Sequence, residues 1–128
     1  MTTMKTTTMK SYRDLDIYNI SFDLSIKIRE LTLKLESYDK FEVGSQIRRS
    51  SQSIKDNIAE GYGRKRYKAD FIKFLVYSYA SQLEAKSQAE FLQVATKDEN
   101  WKTIYEELDK LGIKIHNFIK YVEKNWKV

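Results

Sequence analysis

No proline occurs in this 128-residue sequence, and only four residues are glycine. A sheet protein of this length needs many tight turns, and those turns draw on both residue types. A chain without them favours long uninterrupted helices. The apolar spacing says the same. Trp101, Ile104, Leu108, Leu111, Ile115, Phe118 and Val122 recur at alternating intervals of three and four, which lays one continuous apolar seam along a helix. Tyr105, Ile119 and Trp126 widen that seam beyond what a two-stranded coil uses, so the helix belongs inside a bundle. Gly112 falls beside the seam, where it costs about 1 kcal/mol relative to alanine.

The same reasoning gives three earlier helices. The first spans about Asp14 to Glu36, with its stripe on Ile17, Ile20, Leu24, Ile28, Leu31, Leu35 and Tyr38, and Asp14 or Asp16 as cap or first-turn acid. Periodicity lapses at Ser37-Tyr38-Asp39-Lys40, which predicts a loop up to Gly44 with Phe41 and Val43 as its anchors. The second helix runs from Glu42 or Ser45 to Glu60 on Ile47, Ser51, Ile54 and Ile58, with Ser50 and Ala59 beside them; these small residues admit a close neighbour. Gly61-Tyr62-Gly63 is the expected stop, by the left-handed conformation that glycine tolerates. The third helix spans about Tyr67 to Thr96 and carries two apolar stripes: Phe71, Leu75, Ser78, Ala85, Ala89 and Leu92, and beside it Ile72, Val76, Tyr79 and Leu83. So wide an arc implies more than one neighbour, including another subunit. Lys97 to Asn100 connects to the last helix, with Asp98 or Asn100 as its cap. Short connections imply antiparallel neighbours. The expected fold is an all-α, antiparallel up-down-up-down four-helix bundle over residues 12–128, preceded by a flexible tail, 1–11.

Charge is distributed unevenly. The net excess is +5, and the segment from Arg48 to Lys73 carries all of it, with eight basic residues against three acidic ones. Such a concentration is the footprint of a polyanion site, although a solvated helix face can carry the same charges. Arg48, Arg49, Lys55, Arg64, Lys65, Arg66 and Lys68 are the candidate phosphate contacts. Tyr62 and Tyr67 flank Arg64-Lys65-Arg66, where rings can stack on unpaired bases or pack against helix ends.

Other chemistry finds little support. The absence of cysteine removes disulfides, thiolate metal sites and thiol nucleophiles. Asn57 and Glu60 share a helix face and can reach Ser81 and Glu84 on a neighbour. Paired carboxylates can perform acid–base work, but a polar network that fixes helix register uses the same groups. His116 has no second histidine beside it to make a metal or catalytic site, and Gly61-Tyr62-Gly63 lacks the spacing of a phosphate-binding loop. The expectation is a non-enzymatic protein with no cofactor and no metal. The N-terminal stretch Met1 to Lys10 lacks the apolar run of a signal or membrane span, which points to the cytoplasm.

The stretch Ser45-Gln46-Ile47-Arg48-Arg49-Ser50-Ser51-Gln52-Ser53-Ile54-Lys55-Asp56-Asn57-Ile58-Ala59-Glu60-Gly61-Tyr62-Gly63-Arg64 closely resembles the signature of the 23S rRNA intervening-sequence protein family, also called four-helix bundle proteins. Tyr12, Leu15, Ile17 and Tyr18 resemble the family's opening pattern, and Phe71, Phe74, Leu75, Ser81 and Glu84 its third-helix pattern. The chain departs from the family in having no proline before the second helix and Ala80 where a glycine is frequent. The resemblance implies an antiparallel four-helix bundle that assembles as a homopentamer, encoded in some bacteria within insertions of large-subunit rRNA genes. The chain is also similar to the accessory protein of diversity-generating retroelements, which implies a basic pentameric barrel that binds RNA or DNA and a reverse transcriptase. A protein-interaction scaffold with no nucleic-acid role is the alternative.

Overall fold

The structure, a computed structural model, describes residues 9–127; the expected tail falls largely on residues 1–8, outside the described residues. The described chain opens with a 3-10 turn, Tyr12–Asp14, and continues through α1 (Asp16–Thr32), α2 (Ser37–Phe41), α3 (Val43–Gly63), α4 (Lys68–Thr96) and α5 (Asn100–Asn125). Four helices are long, and no strand occurs among the described residues. Helix α1 packs on α3 and α5, and α4 packs on the same two. Chain order therefore runs once around the bundle, with alternating direction.

The seams of the sequence become the core. Ile17, Leu24 and Ile28 of α1, Ile47, Ile54 and Ile58 of α3, Phe71, Leu75, Ala85, Ala89 and Leu92 of α4, and the whole α5 seam are buried. Serines line much of the α3 surface, and each buried serine hydroxyl has a backbone acceptor. Ser50 and Ser51 donate to carbonyls one turn back, and Ser78 donates across the interface to the Ile54 carbonyl at 2.8 Å. These bonds satisfy groups that would otherwise carry a desolvation penalty.

Four local expectations need correction. Helix α1 ends at Thr32 rather than Glu36, and the predicted loop contains the short helix α2. None of the α2 residues is buried, and Tyr38 and Phe41, expected as the end of the first stripe and as a loop anchor, are 76% and 73% exposed, so periodicity could not reveal this helix. Helix α3 does not stop at Gly61. It runs through Gly63, and no glycine has positive φ. A Cβ on Gly61 would stand 3.0 Å from the Phe74 Cβ and 3.3 Å from the Phe71 ring, so close approach of α4 is what that glycine serves. Gly112 is not an incidental weak point. A Cβ there would lie 2.6 Å from the buried Gln82 amide, whose Nε2 donates to the Leu108 carbonyl at 2.9 Å.

Among the described residues no helix covers the second stripe of α4. Val76 and Leu83 are exposed, and Ile72 and Tyr79 are only half-buried. At the far end of α4, Lys97 adopts the left-handed conformation (φ 61°) that ends the helix. The Asp98 carboxylate accepts the Asn100 amide at 2.9 Å, beginning α5.

Candidate nucleic-acid interface

The bundle topology brings three chain segments to one end: the 3-10 turn before α1, the α3–α4 turn, and the C-terminus of α5. Beneath them lies an aromatic floor. Phe71 packs edge-on against Trp126 (5.0 Å between centroids), Phe118 (6.0 Å) and Tyr62 (6.4 Å). Two hydrogen bonds tie α5 to the turn above this floor. The Trp126 indole donates to the Lys65 carbonyl at 3.3 Å, and the Lys68 ammonium donates to the Glu123 carbonyl at 2.6 Å. A cation placed on the last carbonyls of a helix is favourable, because those carbonyls lack intrahelical partners and carry the negative end of the helix dipole.

The α3–α4 turn is held by its own backbone. The Arg64 amide donates to Gly61, Lys65 to Tyr62, and Tyr67 to Arg64, all within 3.1 Å. Its side chains fall into two groups. Arg64 is engaged: it pairs with Glu60 at 3.2 Å and Asp70 at 3.8 Å, and its guanidinium lies 4.8 Å from the Phe74 ring centroid. The Lys65 ammonium sits 4.2 Å from the Tyr62 ring centroid. Arg66 is exposed and enters no ion pair among the described residues.

The tyrosines separate in the same way. Tyr62 is 6% exposed and belongs to the core; burial, and secondarily the negative charge of Asp14, push its phenol above the ordinary tyrosine range. It therefore cannot serve as a stacking surface. Tyr67 is 64% exposed and can.

The remaining candidate cations do not all join this end. Arg48 and Arg64 are sixteen positions apart along α3 and its cap, a rise of about 24 Å, so the expected continuous patch is divided. Arg48 is turned inward, its Nη2 donating to the Lys40 carbonyl at 3.2 Å across the α2–α3 corner, while its Nη1 is buried without a partner. Arg49 is exposed and donates to Ser45 Oγ at 3.1 Å. Lys55 is largely covered, with Asp56 at 2.7 Å and the Phe22 ring at 5.9 Å. Conversely, the sequence reading missed Lys10, Arg13, Lys124 and Lys127, all exposed and carried by the segments that converge on the α3–α4 turn. They are distant in sequence from that turn, and the C-terminal lysines were recognisable only as the last turn of a bundle helix whose direction was known. Acidic groups on the same segments are Asp14, Asp16, Glu60, Asp70 and Glu123.

The expected polar network forms in part. Asn57 Nδ2 donates to the Ser53 carbonyl at 2.8 Å and to Ser53 Oγ at 3.0 Å, and Ser53 Oγ shares a hydrogen bond with Ser81 Oγ at 2.8 Å. Glu60 turns instead to Arg64. Glu84 lines a polar groove with Gln46, Arg49, Ser50, Ser53 and Gln88. The two carboxylates are thus apart, and the network couples α3 to α4 through hydroxyl and amide groups. His116 is exposed, with Tyr79 as its aromatic neighbour at 6.2 Å. Among the described residues no three His, Asp or Glu groups gather where they could hold a metal ion.

A family model described as 23S rRNA-intervening sequence protein matches residues 13–117. The chain belongs to this family. The 23S rRNA-intervening sequence match begins at the 3-10 turn and ends within α5, so it covers the α3–α4 turn but not Lys124 or Lys127. The bundle is similar to the crystal structure of a protein with unknown function from the S23 ribosomal protein family of Bacteroides thetaiotaomicron. The TM-score is 0.73 at 25% sequence identity, over 81% of this chain and 95% of that one. No curated protein matches the chain. No helix among the described residues is long and apolar enough to cross a membrane.

Proposed function

We propose that this 23S rRNA-intervening sequence family member is a non-enzymatic, oligomeric, cytoplasmic protein that binds the RNA or DNA backbone at one end of its bundle. The observation that carries the reading is the convergence of exposed cations from three separate segments: Lys10 and Arg13, Arg66, and Lys124 and Lys127. Phosphate binding needs several cations along one path, each releasing condensed counterions, rather than one strong contact. Oligomerisation, with a pentamer as the family resemblance implies, would cover the exposed apolar groups Val76, Leu83 and Ile113. It would also repeat the basic end around a ring. The likeness to the retroelement accessory protein makes a reverse transcriptase the protein partner to test.

The test is fluorescence anisotropy of labelled RNA and DNA over a salt series, with the variant Arg66→Gln/Lys124→Gln/Lys127→Gln beside the parent. If each cation neutralises one phosphate, the variant binds more weakly at low salt, and its log–log salt slope is flatter by about 2 to 3. Sedimentation and circular dichroism should match the parent. Equal affinity and slope would dismiss the interface. The exposed apolar face of α4 and α5 would then favour the scaffold reading, with a protein partner there.

A further inference from the structure

Resting on the nucleic-acid reading above, we infer that the basic end selects unpaired strands, with Tyr67 as the surface on which a base stacks. The residue is 64% exposed, and it follows directly on Arg66, the one cation of the turn that is exposed and outside any ion pair among the described residues. Of the other aromatic groups of this end, Tyr62, Phe71, Phe118 and Trp126 are buried beneath it, and Tyr12, Phe74 and Tyr121 are half-buried.

The backbone under Tyr67 is fixed on both sides. Its amide donates to the Arg64 carbonyl at 2.9 Å, its carbonyl accepts the Phe71 amide at 3.0 Å, and the adjacent Lys65 and Lys68 are bonded to the end of α5. A tyrosine has two side-chain torsions to order, and a turn already held in place adds little further ordering cost. In a duplex, base faces are covered by their neighbours, so an exposed ring has nothing to stack against. In a single strand every base offers a face, and adjacent cations hold the phosphates. A ring beside a free guanidinium on a fixed turn is suited to the second case. Arg64 cannot take the place of Arg66, because Glu60 and Asp70 already share its charge.

The experiment uses the full chain with short labelled oligonucleotides of one sequence, as single-stranded RNA, single-stranded DNA and DNA duplex, and compares Tyr67→Leu, Tyr67→Phe and the parent. The parent should prefer the single strands. Tyr67→Leu should bind them about tenfold more weakly, as loss of one stacked base requires, with an unchanged salt slope and unchanged duplex binding. Tyr67→Phe should keep parental affinity, since the ring remains. A difference between the two single-stranded arms identifies which nucleic acid the site takes. If Tyr67→Leu binds like the parent, or if Tyr67→Phe is as weak as Tyr67→Leu, base stacking on this ring is refuted while backbone binding stands. If the parent binds none of the three, both readings fall together.

Discussion

The contact between Gly112 and Gln82 gives the sharpest stability test of the bundle. Gly112 lies mid-helix in α5, where exchange for alanine alone gains about 1 kcal/mol of helix propensity. The added Cβ would stand 2.6 Å from Gln82 Cδ and Nε2 and 2.7 Å from Oε1. Gln82 is 1% exposed and donates to the Leu108 carbonyl. To make room its amide must give up that bond, a net loss of about 1 kcal/mol, or remain strained in place for about 1 to 3 kcal/mol. Gly112→Ala should therefore be neutral to destabilising, by up to about 2 kcal/mol once the propensity gain is subtracted. In a Gln82→Ala background the three atoms nearest that methyl group, Gln82 Cδ, Nε2 and Oε1, are gone. There the same exchange should stabilise by about 1 kcal/mol, a coupling of about 1 to 3 kcal/mol between the two sites. Urea denaturation of the four proteins at one fixed protein concentration measures the cycle, since association shifts apparent stability with concentration. A Gly112→Ala exchange that stabilises equally in both backgrounds would refute the close contact.

Gly63 is the counterpart, since nothing lies within 4 Å of its Cβ position and its φ is not positive; Gly63→Ala should raise stability by about 0.4 to 1 kcal/mol, read as a higher thermal midpoint. Leu108 is fully buried, so Leu108→Asp should cost at least about 3 kcal/mol, seen as loss of helical circular dichroism or dissociation. Alkaline pH should weaken the fold. Burial raises the phenols of Tyr18 and Tyr62, and the hydrogen bond to Asp109 raises the Lys86 ammonium. All three favour the protonated form when folded, so their stabilisation is complete below the unfolded values of 10.0 and 10.5 and is lost as pH rises through the folded ones. Urea midpoints should fall across that range, and a flat profile would contradict the assignment.

The long helices, their buried faces and their antiparallel order were legible in the sequence, because a helix must bury one stripe and that stripe repeats at three and four positions. Ile54, Leu108 and Phe71 could be placed in the core on spacing alone. Helix α2 could not be read this way, since it buries nothing and so leaves no period. Glycine was ambiguous for a different reason. Composition marks Gly61 and Gly112 as weak points of a helix, but whether a glycine ends a helix or admits a neighbour depends on what stands across the interface, here Phe74 and Gln82. The candidate interface divides in the same manner. The cluster at Arg64-Lys65-Arg66 is a property of the sequence; its separation from Arg48 and its union with Lys10, Arg13, Lys124 and Lys127 follow only from folding. A helix converts sequence separation into about 1.5 Å per residue, whereas antiparallel packing brings together ends that are far apart along the chain. Tyr62 and Tyr67 have identical side chains five positions apart, and the tertiary structure alone decides that one closes the core while the other faces solvent.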